Sequence, residues 1–204
     1  MRTGILGGTF DPIHLGHVAA ARAAVECAKL DRVLFIPSAQ PPHRGDAVAS
    51  AQDRLAMAKL AVDGEPGFAV SDVEIRRGGP SFTADTVDQL HREHPGDELF
   101  LILGWDAARL FSTWHRPADI LRTVASVIVV GRPGSPAPGA EELAAAGLDP
   151  ARVILCTKGT PDISGSALRK AVATRQGVTD RVPAAVARYI DRHHLYGDNR
   201  YVGR

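Results

Sequence analysis

A doubly wound α/β fold, a parallel sheet with helices on both faces, is what this sequence predicts, and three observations predict it. Short, almost wholly apolar runs of strand length recur at 4–7, 33–37, 68–70, 99–103, 127–130 and 153–156. Helical patterns fall between several of them, at 18–28, 51–62, 84–93 and 141–146. The segments that combine Gly, His, Arg and Ser each follow a strand run or open a helix. Strands covered on both faces read as continuous apolar runs, whereas half-exposed strands alternate. Such runs alternating with helices give parallel strands joined by crossovers, with ligands bound beyond their carboxyl ends.

In chain order, the run at 4–7 passes through Gly7-Gly8 into the helix at 18–28. The strand at 33–37 leads to Pro41-Pro42-His43-Arg44, a proline-stiffened loop. Ser50, with Asp53 three residues on, marks the start of the helix at 51–62. After the short strand at 68–70, Thr83 reads as the N-cap of the helix at 84–93. Gly104 ends the strand at 99–103, and Asp106 reads as an N-cap for a turn at 107–111. Pro, Gly and Ala dominate 133–147, which predicts a surface loop carrying the short helix at 141–146. Past the last strand, Ser164 caps a helix at 166–173, and Pro183 at N1 opens a final helix at 184–193. The expected organisation is one domain over 1–204, with a small C-terminal helical part from about 160.

Composition narrows the function classes. A formal net charge of +1 creates no whole-surface field, so neither nucleic acid nor a membrane is the expected partner. The two cysteines, Cys27 and Cys156, form no CxxC pair and read as core thiols of an intracellular protein. No leader-like segment precedes the first strand and no long apolar span follows, so a soluble, cytoplasmic protein is expected. A GxxxxGK[ST] loop is lacking, which argues against a phosphate-hydrolysing motor. A strand-linked GxGxxG is lacking too, which argues against a dehydrogenase.

The stretch Gly7-Gly8-Thr9-Phe10-Asp11-Pro12-Ile13-His14-Leu15-Gly16-His17 carries the chemistry. Glycines let backbone approach a ligand closely, and a helix start presents unpaired N–H groups at the positive end of a dipole. His14 and His17, three residues apart on that first turn, add donors aimed at the same anion. A phosphate chain is the expected guest. The remaining histidines His91, His94, His193 and His194 read as solvated surface.

That stretch resembles the HxGH signature of the nucleotidyltransferases, in the form G-G-T-F-D-P-x-H-x-G-H. The chain is similar throughout to the bacterial nicotinate-nucleotide adenylyltransferases. The supporting motifs run in order: Pro41-Pro42-His43-Arg44, Pro80-Ser81-Phe82-Thr83-Ala84-Asp85-Thr86, Gly104-Trp105-Asp106, Thr113-Trp114, Gly131-Arg132-Pro133-Gly134 and Ile163-Ser164-Gly165-Ser166-Ala167-Leu168-Arg169. The resemblance implies that His14, His17 and Arg169 act on the transferring phosphates. Gly8, Thr9, Phe10, Gly16, Gly104, Asp106, Arg132, Ser164 and Ser166 would hold ATP. His43, Arg44, Phe82, Thr83 and Trp114 would hold the pyridine nucleotide. His115 and Gly165 depart from the residues usual in the family.

The implied reaction joins ATP and nicotinate mononucleotide into deamido-NAD and pyrophosphate, by direct attack without a covalent intermediate. Mg2+ would ride on the ATP phosphates, with no dedicated protein metal site, and a homo-oligomer is compatible with the resemblance. Two alternatives stand beside it. One is a pantetheine-phosphate or glycerol-phosphate nucleotidyltransferase, which shares the form of the first motif. The other is a catalytically silent nucleotide sensor on the same fold.

Overall fold

A computed structural model of the chain describes residues 1–41, 47–131 and 136–197. Its elements are β1 (Arg2–Gly8), α1 (Leu15–Ala28), β2 (Arg32–Pro37), α2 (Ala51–Val62), β3 (Phe68–Val70), α3 (Val73–Arg77), α4 (Thr83–Glu93), β4 (Glu98–Gly104), α5 (Trp105–Ala108), α6 (Pro117–Thr123), β5 (Ser126–Val130), α7 (Ala140–Ala145), β6 (Val153–Cys156), α8 (Gly165–Ala173) and α9 (Ala184–Arg192). All strand pairings are parallel, in the order β3-β2-β1-β4-β5-β6. Winding therefore starts at the middle and proceeds outward in both directions. The strand order reverses between β1 and β4, whose carboxyl ends carry Gly8 and Gly104. That is where an open α/β sheet leaves a crevice for a ligand.

The apolar runs divide by parity onto the two faces, as strand geometry requires. Val33, Phe35, Phe100, Ile102, Ile128 and Val130 meet α1, α2, α8 and α9 on one face. Leu34, Ile36, Leu99, Leu101, Leu103, Val127 and Val129 meet α3, α4, α5, α6 and α7 on the other. The C-terminal helices belong to the first core, through Leu168, Ala171, Val186 and Ile190. Gly4 is small for a packing reason: a Cβ there would stand 2.7 Å from Leu30 Cδ1 and 2.8 Å from Ile102 Cδ1.

All six strand runs form strands, with ends shifted by at most two residues. Ser50 and Ser164 cap as expected, accepting from the N–H of Asp53 and Ala167. Other boundaries need correction. Phe82 is the N-cap of α4 and Thr83 its first residue. Gly104 caps α5, which places Asp106 inside the first turn. Pro183 is the N-cap of α9 and not its N1 residue. The short helices α3 and α6 lie in stretches without a sustained apolar period, so tertiary contacts decide them.

The cysteines differ most from expectation: Cys27 and Cys156 form a disulfide. No local spacing announces it, because 129 residues separate them and only the crossover of α1 onto β5 and β6 brings them together. A bond closing so long a loop removes much freedom from the unfolded chain. Reducing it is expected to lower unfolding stability by about 2–5 kcal/mol. The check is urea unfolding with and without dithiothreitol. An unchanged midpoint would refute the contribution.

Candidate functional site

The site is built at the turn leaving β1. Phe10 adopts φ 51°, a left-handed conformation that costs a non-glycine residue energy unless its surroundings hold it. Burial holds it here: the Phe10 ring meets the His17 ring edge-on at 5.0 Å and lies 6.1 Å from Phe35. Phe10 is thus a core anchor within the motif. A Cβ on Gly8 would touch that ring at 3.0 Å, so the turn tightens against its own anchor.

His14 is the N-cap residue of α1 and His17 lies three residues on, their rings stacked at 3.7 Å. The backbone N–H of His14 donates to His17 Nδ1 at 3.2 Å. A nitrogen that accepts this bond carries no proton, so the proton of neutral His17 sits on Nε2. His14 is only 7% exposed, and its Nδ1 is buried with no protein partner among the described residues. Burial pulls its pKa down to about 4, which keeps the ring neutral at physiological pH. Gly16 is the residue that allows this stack. A Cβ there would lie 3.0 Å from His14 Nδ1 and 3.2 Å from the Pro161 carbonyl.

A second helix start reaches the same turn. Arg169 on α8 donates to the Asp11 carbonyl at 2.7 Å, with its guanidinium 3.9 Å from the Asp11 carboxylate. Gly165 lies so near that a Cβ would stand 3.1 Å from the Asp11 carbonyl, which explains glycine at this departure from the family pattern. The Ser164 and Ser166 hydroxyls stand 3.3 Å apart at the head of α8. Two helix N-termini, two imidazoles and a guanidinium thus converge on Asp11. Such a cradle suits polyanions.

Asp11, a motif residue to which the sequence assigns no role, organises the turn. Its carboxylate accepts from the N–H of Val48 at 2.7 Å, the N–H of Ala49 at 3.1 Å and the Tyr196 hydroxyl at 2.7 Å. Burial, reinforced by the nearby Asp11 charge, pushes the Tyr196 pKa well up, so its hydroxyl remains a donor.

Beyond the turn, Phe82 lies on a cleft of about 470 Å³ with Gln40, Pro41, Ala49, Arg54 and Pro80. Its ring meets that of His115 at 4.3 Å, and Trp114 lies against Phe111 at 5.4 Å. Arg116 ties this turn to α4 through Asp85 at 3.1 Å and Asp88 at 3.2 Å. The structure therefore brings Phe82, Thr83 and Trp114 into one neighbourhood, with His115 as part of it. Underneath, the Thr86 hydroxyl donates to buried Glu74 at 2.6 Å and receives from Arg77 at 2.9 Å. Gly104 and Asp106 lie at the end of β4, both exposed, with Asp106 beside Arg109 at 3.9 Å. His43, Arg44 and Arg132 lie outside the described residues.

None of the sequence motifs contains Arg54. It is 1% exposed at the start of α2 and donates to four backbone carbonyls around the site. A signal was present: Arg54, Ala58 and Ala61 share the i, i+4, i+7 stripe that α2 buries.

Residues 5–171 match the family model described as cytidylyltransferase-like. Two curated relatives carry the name "Probable nicotinate-nucleotide adenylyltransferase". One, from Dehalococcoides mccartyi, is 44% identical over 200 residues, covering 96% of this chain and 97% of the relative. The other, from Thermus thermophilus, is 42% identical over 196 residues, covering 96% of this chain and all of the relative. A solved structure of Plasmodium falciparum nicotinic acid mononucleotide adenylyltransferase complexed with NaAD superimposes with a TM-score of 0.77. It covers 97% of this chain and 98% of the other at 17% identity, a likeness of fold.

A pH dependence follows from His14. Its folded pKa lies below the ordinary value of 6.5, so the folded state binds fewer protons than the unfolded chain between about pH 4 and 6.5. The stability from burying a neutral ring is complete above that window and is lost as pH falls through it, up to about 3 kcal/mol. His14→Gln is expected to flatten this loss in urea midpoints compared between pH 7.5 and 4.5. An identical slope in both proteins would contradict the buried, neutral ring.

Proposed function

Because the chain belongs to the nicotinate-nucleotide adenylyltransferases, within the cytidylyltransferase-like family, we propose that it transfers the adenylyl group of ATP to nicotinate mononucleotide in NAD biosynthesis. An oxygen of the mononucleotide 5′-phosphate attacks the α-phosphorus of ATP. The new P–O–P bond forms as the α–β bond breaks, and pyrophosphate leaves with its electron pair. The observation that carries this reading is the convergence of the α1 and α8 N-termini, His14, His17 and Arg169 on the Asp11 turn.

The chemistry asks little covalent work of the protein. A phosphate monoester has its second pKa near about 6 and is largely dianionic at neutral pH, so the nucleophile needs no general base. Alignment and charge stabilisation remain. The backbone of Gly8, Thr9 and Phe10 and the α1 N-terminus hold the ATP phosphates, with Gly16 leaving room for the His14 ring. His17, with its Nδ1 engaged by backbone, serves through Nε2–H as a donor to developing charge. Arg169, Ser164 and Ser166 hold the phosphates from the α8 side, and Arg132 is assigned to the same group. Gly104 and Asp106 at the β4 end take the adenosine, the carboxylate accepting from ribose hydroxyls.

The pyridine ring stacks near Trp114, its carboxylate meeting backbone N–H groups at the Phe82–Thr83 start of α4. His43 and Arg44 complete the mononucleotide phosphate contacts. Mg2+ enters as part of the ATP substrate; among the described residues no His, Cys, Asp or Glu side chains gather to hold a metal. Among those residues no helix is long and apolar enough to cross a membrane. A cytoplasmic site of action belongs to the same proposal; there the Cys27–Cys156 pair meets a reducing thiol pool.

The test is pyrophosphate release from ATP and magnesium, with nicotinate mononucleotide and nicotinamide mononucleotide in parallel. Turnover with the acid at least tenfold above the amide is expected, and silence with both sinks the reading. His17→Ala is expected to lower kcat by about two to three orders of magnitude with little change in KM for ATP. A normal kcat with a raised KM would assign His17 to ground-state binding instead.

A further inference from the structure

Arg54 is buried beneath the junction of the two halves of the site, and its partners among the described residues are backbone oxygens. Its Nε donates to the Ala49 carbonyl at 3.2 Å and its NH1 to Thr9 at 2.8 Å and Ser38 at 2.7 Å. Its NH2 donates to Ala39 at 3.2 Å. Three chain segments far apart in sequence meet at one guanidinium: the turn after β1, the segment after β2 and the start of α2. A side chain that only filled this space would be apolar, because burying a cation without direct pairing is costly. Burial does lower the Arg54 pKa, opposed by the charges of Asp11, Tyr196 and Glu74. The guanidinium stays protonated nonetheless.

What these bonds fix is the direction of peptide planes. In a planar trans peptide the carbonyl and the following N–H point opposite ways. Holding the Thr9 carbonyl therefore turns the Phe10 N–H away from Arg54, in the one residue of the turn with φ 51°. Holding the Ser38 carbonyl turns the Ala39 N–H the other way, where it donates to Ser81 Oγ at 2.8 Å. Ser81 immediately precedes Phe82, and its own N–H donates to the Gln40 carbonyl at 2.9 Å. One guanidinium thus connects the phosphate turn to the Phe82 side of the cleft, whose wall it also forms.

We infer that Arg54 is a positioning residue, fixing the distance and orientation between the phosphate turn at Thr9–Phe10 and the pyridine cleft at Ala39–Phe82. The inference rests on the proposed adenylyl transfer for its kinetic consequence, but not for its structural one. A planar fork of donors can serve four carbonyls at once, and an ammonium point charge cannot.

The experiment uses Arg54→Lys and, as a second variant that leaves Arg54 in place, Ser81→Ala. Amide hydrogen exchange of the unliganded proteins is read by mass spectrometry alongside kinetics and melting. In Arg54→Lys, exchange over 6–12 and 36–41 is expected to rise at least tenfold while 99–103 and 127–130 stay protected. Its kcat is expected to fall about a hundredfold, with a raised KM for nicotinate mononucleotide and a melting temperature within a few degrees of wild type. Ser81→Ala is expected to raise exchange over 36–41 alone and to raise only the mononucleotide KM.

Unchanged local exchange in both variants overturns the inference. So does a uniform rise in exchange with a lowered melting temperature and normal kcat per folded molecule, the behaviour of a merely structural group. Should wild type not turn over nicotinate mononucleotide, the proposed function fails, and the exchange measurement still decides the positioning role.

Discussion

A single buried carboxylate, that of Asp11, is the constraint on which this molecule turns. An ionised carboxylate removed from water is tolerated only when its oxygens are satisfied. Asp11, 7% exposed, meets that demand with two backbone N–H groups from the segment before α2 and a hydroxyl from near the C-terminal end. Arg169 adds a donor at the Asp11 main-chain carbonyl. The partners come from three separate parts of the chain. To solvate one charge, the fold must therefore bring together the turn after β1, the start of α2, the head of α8 and the stretch beyond α9. The convergence of these segments on one turn is a by-product of that requirement.

Charge is distributed with a consistent logic around this centre. Of the two imidazoles nearest the α1 N-terminus, burial keeps His14 neutral, and the backbone N–H of His14 holds the His17 ring through its Nδ1. Fixed positive charge comes instead from guanidinium groups. Arg169 is partly exposed at the turn and Arg54 is buried behind it, so each is held by carbonyl oxygens before any ligand arrives. Helix N-termini supply the rest as partial charges that need no ion pair. Groups held in place in this way need little reorganisation when charge develops beside them.

Much of this was legible in the sequence, because the informative signals were local and repeated. Continuous apolar runs such as 99–103 specify a strand covered on both faces, and the structure divides their residues by parity between two cores. The motif from Gly7 to His17 announced a strand, a turn and a helix start, and the Gly16 contact shows how closely a larger residue there would crowd the His14 ring. What stayed hidden depends on where distant segments meet. Cys27 and Cys156 carry no mutual signal until the crossover over β6 is built. Tyr196 reads as an aromatic near a chain end, and its role exists only because Asp11 lies beneath it. Arg54 was half legible, since the apolar stripe of α2 includes it. The reason for a cation there lies in carbonyls of two other loops. His115 and Gly165, departures by comparison with the family, have packing explanations in the Phe82 ring and the Asp11 carbonyl.

The bond between Tyr196 and Asp11 also sets an order of events during synthesis. The central strand β1 is made before the strands that flank it, β2 and β4. The Asp11 carboxylate nonetheless lacks one of its donors until residue 196 has been added. A nascent chain that stops short of Tyr196 would hold all six strands around an unfinished charge. Completion of the Asp11 turn is thus timed to the synthesis of Tyr196, well after the last strand of the sheet has been made.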